Sequence, residues 1–355
     1  MSPFRYLGAW AVAALTAWGI YAADWRSIVV PVVIFVLVPL AEQFLPQSTR
    51  NLTPDEEKAV LADRRYEWVL VGLVPVQWVL ILGLWFVVGT GRATGIGLVG
   101  ATAAAGIGCA GIAINLGHEL MHRRNRFDRT MSQILLTSTL YTHFFIEHTR
   151  GHHVRVSTPE DPASARRDEL IYTFWLRSIA GGWRHAWQLE FDRMRLKGHA
   201  RFSPRNQMVQ FLVVQAAAVA LCLAVAGPLA LAAWGAASAM GILILETINY
   251  VEHYGLQRER RADGRYERVR PVHSWNCNHA IGRILLFELT RHSDHHENPL
   301  RQYPVLRHFD DAPQLPIGYP GMVVLALFPP LYRRVMDPLL DAWEADQAPA
   351  VPLAA

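Results

Sequence analysis

Long runs without a charged residue, separated by short polar turns, set the pattern of this chain. Leu7 to Ala23 and Ser27 to Ala41 run 17 and 15 residues without a charge, parted only by Asp24-Trp-Arg26. They predict a tight transmembrane helical hairpin, the second span continuing toward Glu42. Because one apolar run follows another, the first is expected to be an anchor, not a cleaved leader. Gln47 to Glu67 is polar and predicts a surface loop. Trp68 to Gly89 and Gly95 to Gly117 are charge-free for 22 and 23 residues, long enough to span hydrocarbon. Gln207 to Leu245 runs 39 residues without a charge, and Gly227-Pro228 in its middle predicts two spans joined by a turn. The expected fold class is therefore an all-α integral membrane protein with six transmembrane helices and a cytoplasmic, histidine-rich di-metal domain.

The remaining apolar stretches do not fit as spans. Thr130 to Ile146 is charge-free for 17 residues, but it joins two histidine clusters that must meet, so it predicts an interfacial or re-entrant helix. The segment from Gly318 to Pro330 is broken by prolines and is expected at the interface or packed on the soluble part. The last dozen residues, rich in Ala and Pro, predict a loose tail. The expected organisation is one functional unit: residues 1–117 carry helices one to four, 118–206 a cytoplasmic segment with two histidine clusters, 207–253 helices five and six, and 254–355 a cytoplasmic segment with the last cluster.

Composition supports the membrane reading, with 52% hydrophobic and only 18% charged residues. The net charge of +4 comes almost wholly from arginine, since Lys58 and Lys197 are the only lysines. With the N-terminus inside, only Arg26 and Arg92 fall in outer turns, so the positive-inside rule places both termini and all long loops in the cytoplasm. Cys109, Cys222 and Cys277 form no CxxC pair and no even framework, and so suggest neither a secreted disulfide scaffold nor a thiolate metal site; Cys109 and Cys222 are expected to be packing residues.

The chemistry lies in histidines at the cytoplasmic ends of these spans. His118 and His122 are four apart, as are His148 and His152 with His153 adjoining, and His292, His295 and His296 stand at i, i+3, i+4. Such spacing puts imidazoles on one helix face, able to grip one metal. With the single His253 at the end of span six, nine candidate ligands exceed what one ion can hold, and two metal ions are predicted. Glu119, Glu147, Glu252, Asp294 and Asp161 are candidates to orient the outer ring nitrogens. Glu246 lies two turns before His253 inside an apolar run, and Asn115 shares the His118 stripe; both are candidate site residues. His143, His185, His199, His273, His279 and His308 are left outside the ligand set.

Other classes compete. His118-Glu119-Leu-Met-His122 matches H-E-x-x-H, the helix signature of zinc proteases in which the glutamate is general base, but an intramembrane protease leaves the other histidines unexplained. A bis-histidine haem protein would place its ligands on facing helices within the membrane. A non-catalytic metal-binding membrane protein is the third alternative. Imidazole alone does not choose among zinc, copper and iron.

At these residues the chain resembles the membrane-bound alkane 1-monooxygenase family, within the larger group of membrane fatty-acid desaturases and hydroxylases. The resemblance rests on four motifs in order: His118-Glu-Leu-Met-His122, Glu147-His-Thr-Arg-Gly-His-His153, Asn249-Tyr-Val-Glu-His-Tyr-Gly-Leu256 and Arg291-His-Ser-Asp-His-His296. It extends through Ser157–Ala165, Asp263–Tyr266, His273–Asn276 and Gly318-Tyr-Pro. It implies a non-haem di-iron centre, with His118, His122, His148, His152, His153, His253, His292, His295 and His296 as ligands to two iron ions. The implied reaction inserts one atom of O2 into a terminal C–H bond of an alkane in the bilayer. The implied electron donor is a rubredoxin on a separate chain, reduced by an NADH-dependent reductase; no nucleic acid is involved. The implied location is the bacterial inner membrane. Arg123, Arg124, Arg126, Arg301 and Arg307 are candidates to dock an acidic rubredoxin. Spans two, three, four and six are expected to wall the substrate channel, with Phe35, Trp78, Trp85 and Ile112 as candidates to limit chain length. Met121 and Arg123 depart from the usual alkane-enzyme pattern toward that of xylene-type hydroxylases of alkyl side chains on aromatic rings, and Thr290 replaces a usual glutamine. These departures bear on the substrate and not on the reaction class; the remaining segments favour the alkane branch, with the xylene-type hydroxylase as the alternative.

Overall fold

The computed structural model describes residues 2–347. Among these the chain is helical, with no strand beyond isolated bridges at Arg260/Tyr266 and Asn276/Gln314. We number the helices that build the site. They are α1 (Leu7–Ala22), α2 (Trp25–Glu42), α3 (Arg65–Gly89), α4 (Gly95–Met121), α5 (Arg126–Ser138), α6 (144–155), α7 (Ile171–Leu196), α8 (Gln207–His253), α9 (Ala280–Leu285), α10 (His292–Glu297), α11 (Tyr319–Ala326) and α12 (Pro329–Gln347).

Four helices, α2, α3, α4 and α8, are long and apolar enough to cross a membrane. α1 is a helix of 16 residues, as its run predicted, and packs on α3 and α4. α8 is hydrogen-bonded over 47 residues, yet Gly227 leaves helical geometry at φ +83°, directly before Pro228. Only glycine takes that conformation cheaply, and Pro228 supplies no donor, so the break falls where the Gly-Pro pair predicted it.

Helices here approach through small residues, because lipid tails give apolar side chains no reason to prefer a neighbouring helix. A Cβ on Gly241 of α8 would come within 2.6 Å of the Cys109 Cβ on α4, and one on Gly106 within 2.7 Å of the Met240 sulfur. A Cβ on Gly97 would run into the carbonyl of Ala23, so the turn between α1 and α2 rests directly on α4. Buried Trp85 and Trp234 meet edge to face at 5.1 Å, a pair worth about 0.5–1.5 kcal/mol beyond its buried area. The Trp234 indole donates to the Ser138 carbonyl at 2.8 Å, which satisfies the buried end of α5.

α5 does not cross. Asn125 caps its first turn, and Ser132 donates to the Gly117 carbonyl on α4 at 2.6 Å. The chain then turns back into α6, so that the His122 and His148 rings lie 5.2 Å apart. The proline-broken stretch forms α11, packed on α8 and on α2. Cys109, Cys222 and Cys277 are all buried and free. α12 carries the chain to Gln347; the remainder of the Ala-Pro tail lies outside the described residues.

Candidate metal centre and its apolar cavity

α4, α6, α8 and α10 deliver nine imidazoles to one place, in two groups. His118, His122, His148, His153 and His295 form the first, and His152, His253, His292 and His296 the second; within each, the potential ligand atoms all lie within 4.8 Å of one another. An ion about 2.1 Å from each nitrogen needs opposite ligands about 4.2 Å apart, so small side-chain movements bring either group to binding distance. The groups adjoin: the His153 ring of the first lies 4.5 Å from the His296 ring of the second, tilted by 32°. His143, His185, His199, His273, His279 and His308 belong to neither.

Local backbone geometry explains how adjacent histidines serve different groups. Residues His148–His152 form a π-turn, which widens the helix. His148 and His153 point into the first group while His152 turns to the second. Two other π-turns, Val33–Leu37 in α2 and Cys109–Ile114 in α4, also lie at the site, and both line its cavity. Gly151 inside the ligand turn is forced by packing, since a Cβ there would meet the His185 ring at 2.6 Å. Gly255, just after His253, holds φ +75° and donates to the Ala165 carbonyl, turning the chain away from α8.

The donor set fits metal. The Nε2 atoms of His118, His122, His152 and His253 are buried without a hydrogen-bond partner among the described residues, a cost that a bound cation removes. The His153 Nε2 atom lies 3.0 Å from those of both His148 and His295, and the Nε2 atoms of His292 and His296 are 2.8 Å apart. Burial, reinforced by the neighbouring imidazoles, pushes His148, His153, His292, His295 and His296 well below the usual histidine range. They are neutral at pH 7, the form that binds metal.

The carboxylates divide differently from expectation. Asp161 orients a ligand: its Oδ2 accepts from His152 Nδ1 at 2.8 Å, while Ser164 donates to the same oxygen at 2.6 Å. Glu252 meets a ligand, but at its inward nitrogen, with Oε2 3.0 Å from His292 Nε2. Among the described residues the other three make no hydrogen bond or ion pair with a ligand histidine. Glu119 accepts from Arg123 at 2.6 Å and from the Tyr303 N–H, Glu147 from His185 at 3.2 Å, and Asp294 from Arg307 and Arg301. Adjacency in sequence misplaces them because on a helix neighbouring residues point about 100° apart. Glu119, tied to Arg123, is not free to act as the base of a zinc protease. Glu246 is buried and accepts from Tyr141 at 2.8 Å, Ser178 at 2.5 Å and Asn249 at 3.2 Å; Asn249 in turn faces the cavity. Asn115 lines the cavity too, its amide near the Gly111 carbonyl.

That cavity, about 100 Å³, has His118, His148 and His292 in its lining. Its walls come from α1, α2, α4, α8, α9 and α11, including Val12, Ile34, Phe35, Ile107, Leu245, Leu286 and Val323. No residue of α3 contributes, in contrast to the expected wall from the third span. Phe35 and Ile112 face it as anticipated. Trp78 and Trp85 do not: Trp78 donates to the Ile134 carbonyl and Trp85 packs on Trp234.

The comparisons with known proteins agree with this geometry. Residues 93–324 match the family model described as fatty acid desaturase. The chain is 42% identical to an alkane 1-monooxygenase of Pseudomonas putida, over 95% of this chain and 82% of that protein. It is also 42% identical to alkane 1-monooxygenase 1 of Alcanivorax borkumensis, over 92% and 80%. The chain belongs to the alkane 1-monooxygenase family. A xylene/toluene monooxygenase hydroxylase component of P. putida is 31% identical over 67% of the chain and 62% of that protein, a more distant relation than the alkane 1-monooxygenases.

Proposed function

We propose that this chain is a membrane monooxygenase that hydroxylates the terminal methyl group of alkanes, with its nine clustered histidines holding two iron ions. The observation that carries this is the apolar cavity whose lining includes His118, His148 and His292 of the two imidazole groups. Two non-haem irons would supply the activation of O2. In balance, alkane, O2, two electrons and two protons give a terminal alcohol and water. The protein's own contribution is placement: aliphatic walls hold an unfunctionalised chain by area alone, exclude water and leave its end methyl beside the histidines. Imidazole set back to back with Asp161 raises ligand basicity and fixes the His152 tautomer.

Six membrane spans with both termini in the cytoplasm remain our reading of the topology, in a bacterial inner membrane. Supporting it, the turn at Ala23 abuts Gly97, and Gly89 abuts Ala226, so three turns gather at the end of the bundle away from the histidines. Both halves of α8 would then cross, meeting at Gly227. Electrons would come from a separate rubredoxin and its NADH-dependent reductase. Of the five arginines considered for docking, Arg123 pairs with Glu119, Arg301 with Glu57 and Asp294, and Arg307 with Asp294. Arg124 and Arg126 are exposed and make no ion pair among the described residues, and they are the better candidates.

The test is purification in detergent, a metal count, and assay with rubredoxin, reductase, NADH and n-alkanes. Two irons per chain and a 1-alkanol product are expected. One zinc and no iron would overturn the oxygenase. Met121 and Arg123 favour a second substrate class, alkyl side chains of aromatic rings; preference for xylene over alkanes in direct competition would select it.

A further inference from the structure

The two imidazole groups are unequal, five against four, and one carboxylate stands where the smaller group lacks a ligand. Glu252 Oε2 lies 3.0 Å from His292 Nε2. That is the nitrogen facing His296 Nε2 at 2.8 Å, while His292 Nδ1 is turned away without a partner. The carboxylate therefore sits in front of the ring, on the side where an ion would bind, and not behind it as Asp161 sits behind His152. Its other oxygen, Oε1, accepts from the Tyr319 hydroxyl at 2.6 Å. The Glu252 backbone is pinned as well, its carbonyl accepting from the Trp275 N–H at 2.8 Å. Glu252 is 1% exposed, and among the described residues no arginine or lysine pairs with it. A buried carboxylate without a cation is costly, and the ordinary remedies are protonation, a basic side chain or a metal; the position of Oε2 in front of the ligand nitrogen points to the metal. Hard carboxylate oxygen is also a good iron ligand beside imidazole, as in the two-histidine, one-carboxylate iron sites.

We propose that Glu252 is a direct ligand of the ion held by His152, His253, His292 and His296, bringing that group to five protein donors. Tyr319 selects the coordinating oxygen by holding the other one. Since Glu252, Tyr319 and His292 also line the apolar cavity, this one anionic ligand faces the space the substrate chain would occupy. The two ions are thereby made chemically distinct, one all-imidazole and one imidazole-carboxylate. The inference rests on the reading that the nine histidines hold two irons.

The experiment is anaerobic loading of the detergent-purified full chain with ⁵⁷Fe(II), for wild type, Glu252→Gln and Tyr319→Phe, with iron counts against a graded chelator series and Mössbauer spectra. Wild type is expected to hold two irons giving two distinguishable ferrous signals. Glu252→Gln is expected to lose one iron at chelator concentrations at least tenfold lower, and to change only one of the signals. Tyr319→Phe keeps both irons and shifts that same signal. If Glu252→Gln is not monodisperse, the Tyr319→Phe spectrum decides, because it leaves the carboxylate in place. Unchanged spectra and retention in the variants overturn the ligand assignment. A wild-type count other than two overturns the di-iron reading itself, a separate result.

Discussion

Replacing Asp161 tests whether the residues behind the ligands tune metal binding. Asp161 is 1% exposed and accepts from His152 Nδ1 at 2.8 Å, from Ser164 Oγ at 2.6 Å and from the Ala163 N–H at 3.2 Å. A charge-assisted hydrogen bond of this kind is worth about 1.5–3 kcal/mol. At about 1.4 kcal/mol per tenfold, its loss weakens the ion on His152 by roughly ten- to a hundredfold, the range found for partners behind metal-bound histidines. Asn at 161 keeps the volume and still accepts from Nδ1–H, so Asp161→Asn belongs at the tenfold end. Asp161→Ala also leaves Ser164 without an acceptor and belongs at the hundredfold end. The assay equilibrates purified protein against a graded chelator and counts the iron that stays. One of two irons is expected to leave early, because Asp161 touches only the group containing His152. An unchanged midpoint, or parallel loss of both irons, would refute the reasoning.

Three further outcomes are expected. A Cβ on Gly111 meets nothing within 4 Å, and the residue lines the cavity seven positions before His118, about 10 Å along the helix. Gly111→Leu should shift the product profile toward shorter alkanes with iron content unchanged; an identical profile would show that the chain does not lie along α4. Burial raises the Glu190 carboxyl, but hydrogen bonds from Arg193, the Gln207 N–H and Arg150 outweigh it and hold it below the ordinary value. A depressed native carboxyl stabilises above its unfolded pKa and loses that contribution as pH falls through the native one. Glu190→Gln should therefore melt lower at pH 7, with the gap to wild type closing below about pH 4; a gap constant with pH would count against the ion pairs as its cause. Finally, Arg124→Glu with Arg126→Glu should slow turnover with rubredoxin and flatten its fall with added salt, while a chemical reductant supports unchanged activity. A salt-independent rate in the wild type would remove electrostatic docking.

What the sequence determined by itself was everything governed by spacing along the chain. Charge-free length marked the apolar helices, because hydrocarbon tolerates neither charge nor open backbone. The Gly227-Pro228 pair marked the break in α8. Intervals of three and four marked the histidine pairs, because those positions share a helix face, and all nine histidines so chosen converge. The tertiary structure decided what depends on which faces meet. Tyr319 holds Glu252 across 67 positions and Ser178 holds Glu246 across 68, separations at which no local pattern predicts contact. It also decided that α9 and α11, not α3, complete the cavity, and that Glu119, Glu147 and Asp294 turn from the ligands to Arg123, His185 and Arg307. The assignment of His148 and His153 to one group and His152 to the other depended on a π-turn. Its widening shifts side chains around the helix axis, a displacement that the order of residues in Glu147-His-Thr-Arg-Gly-His-His153 does not reveal.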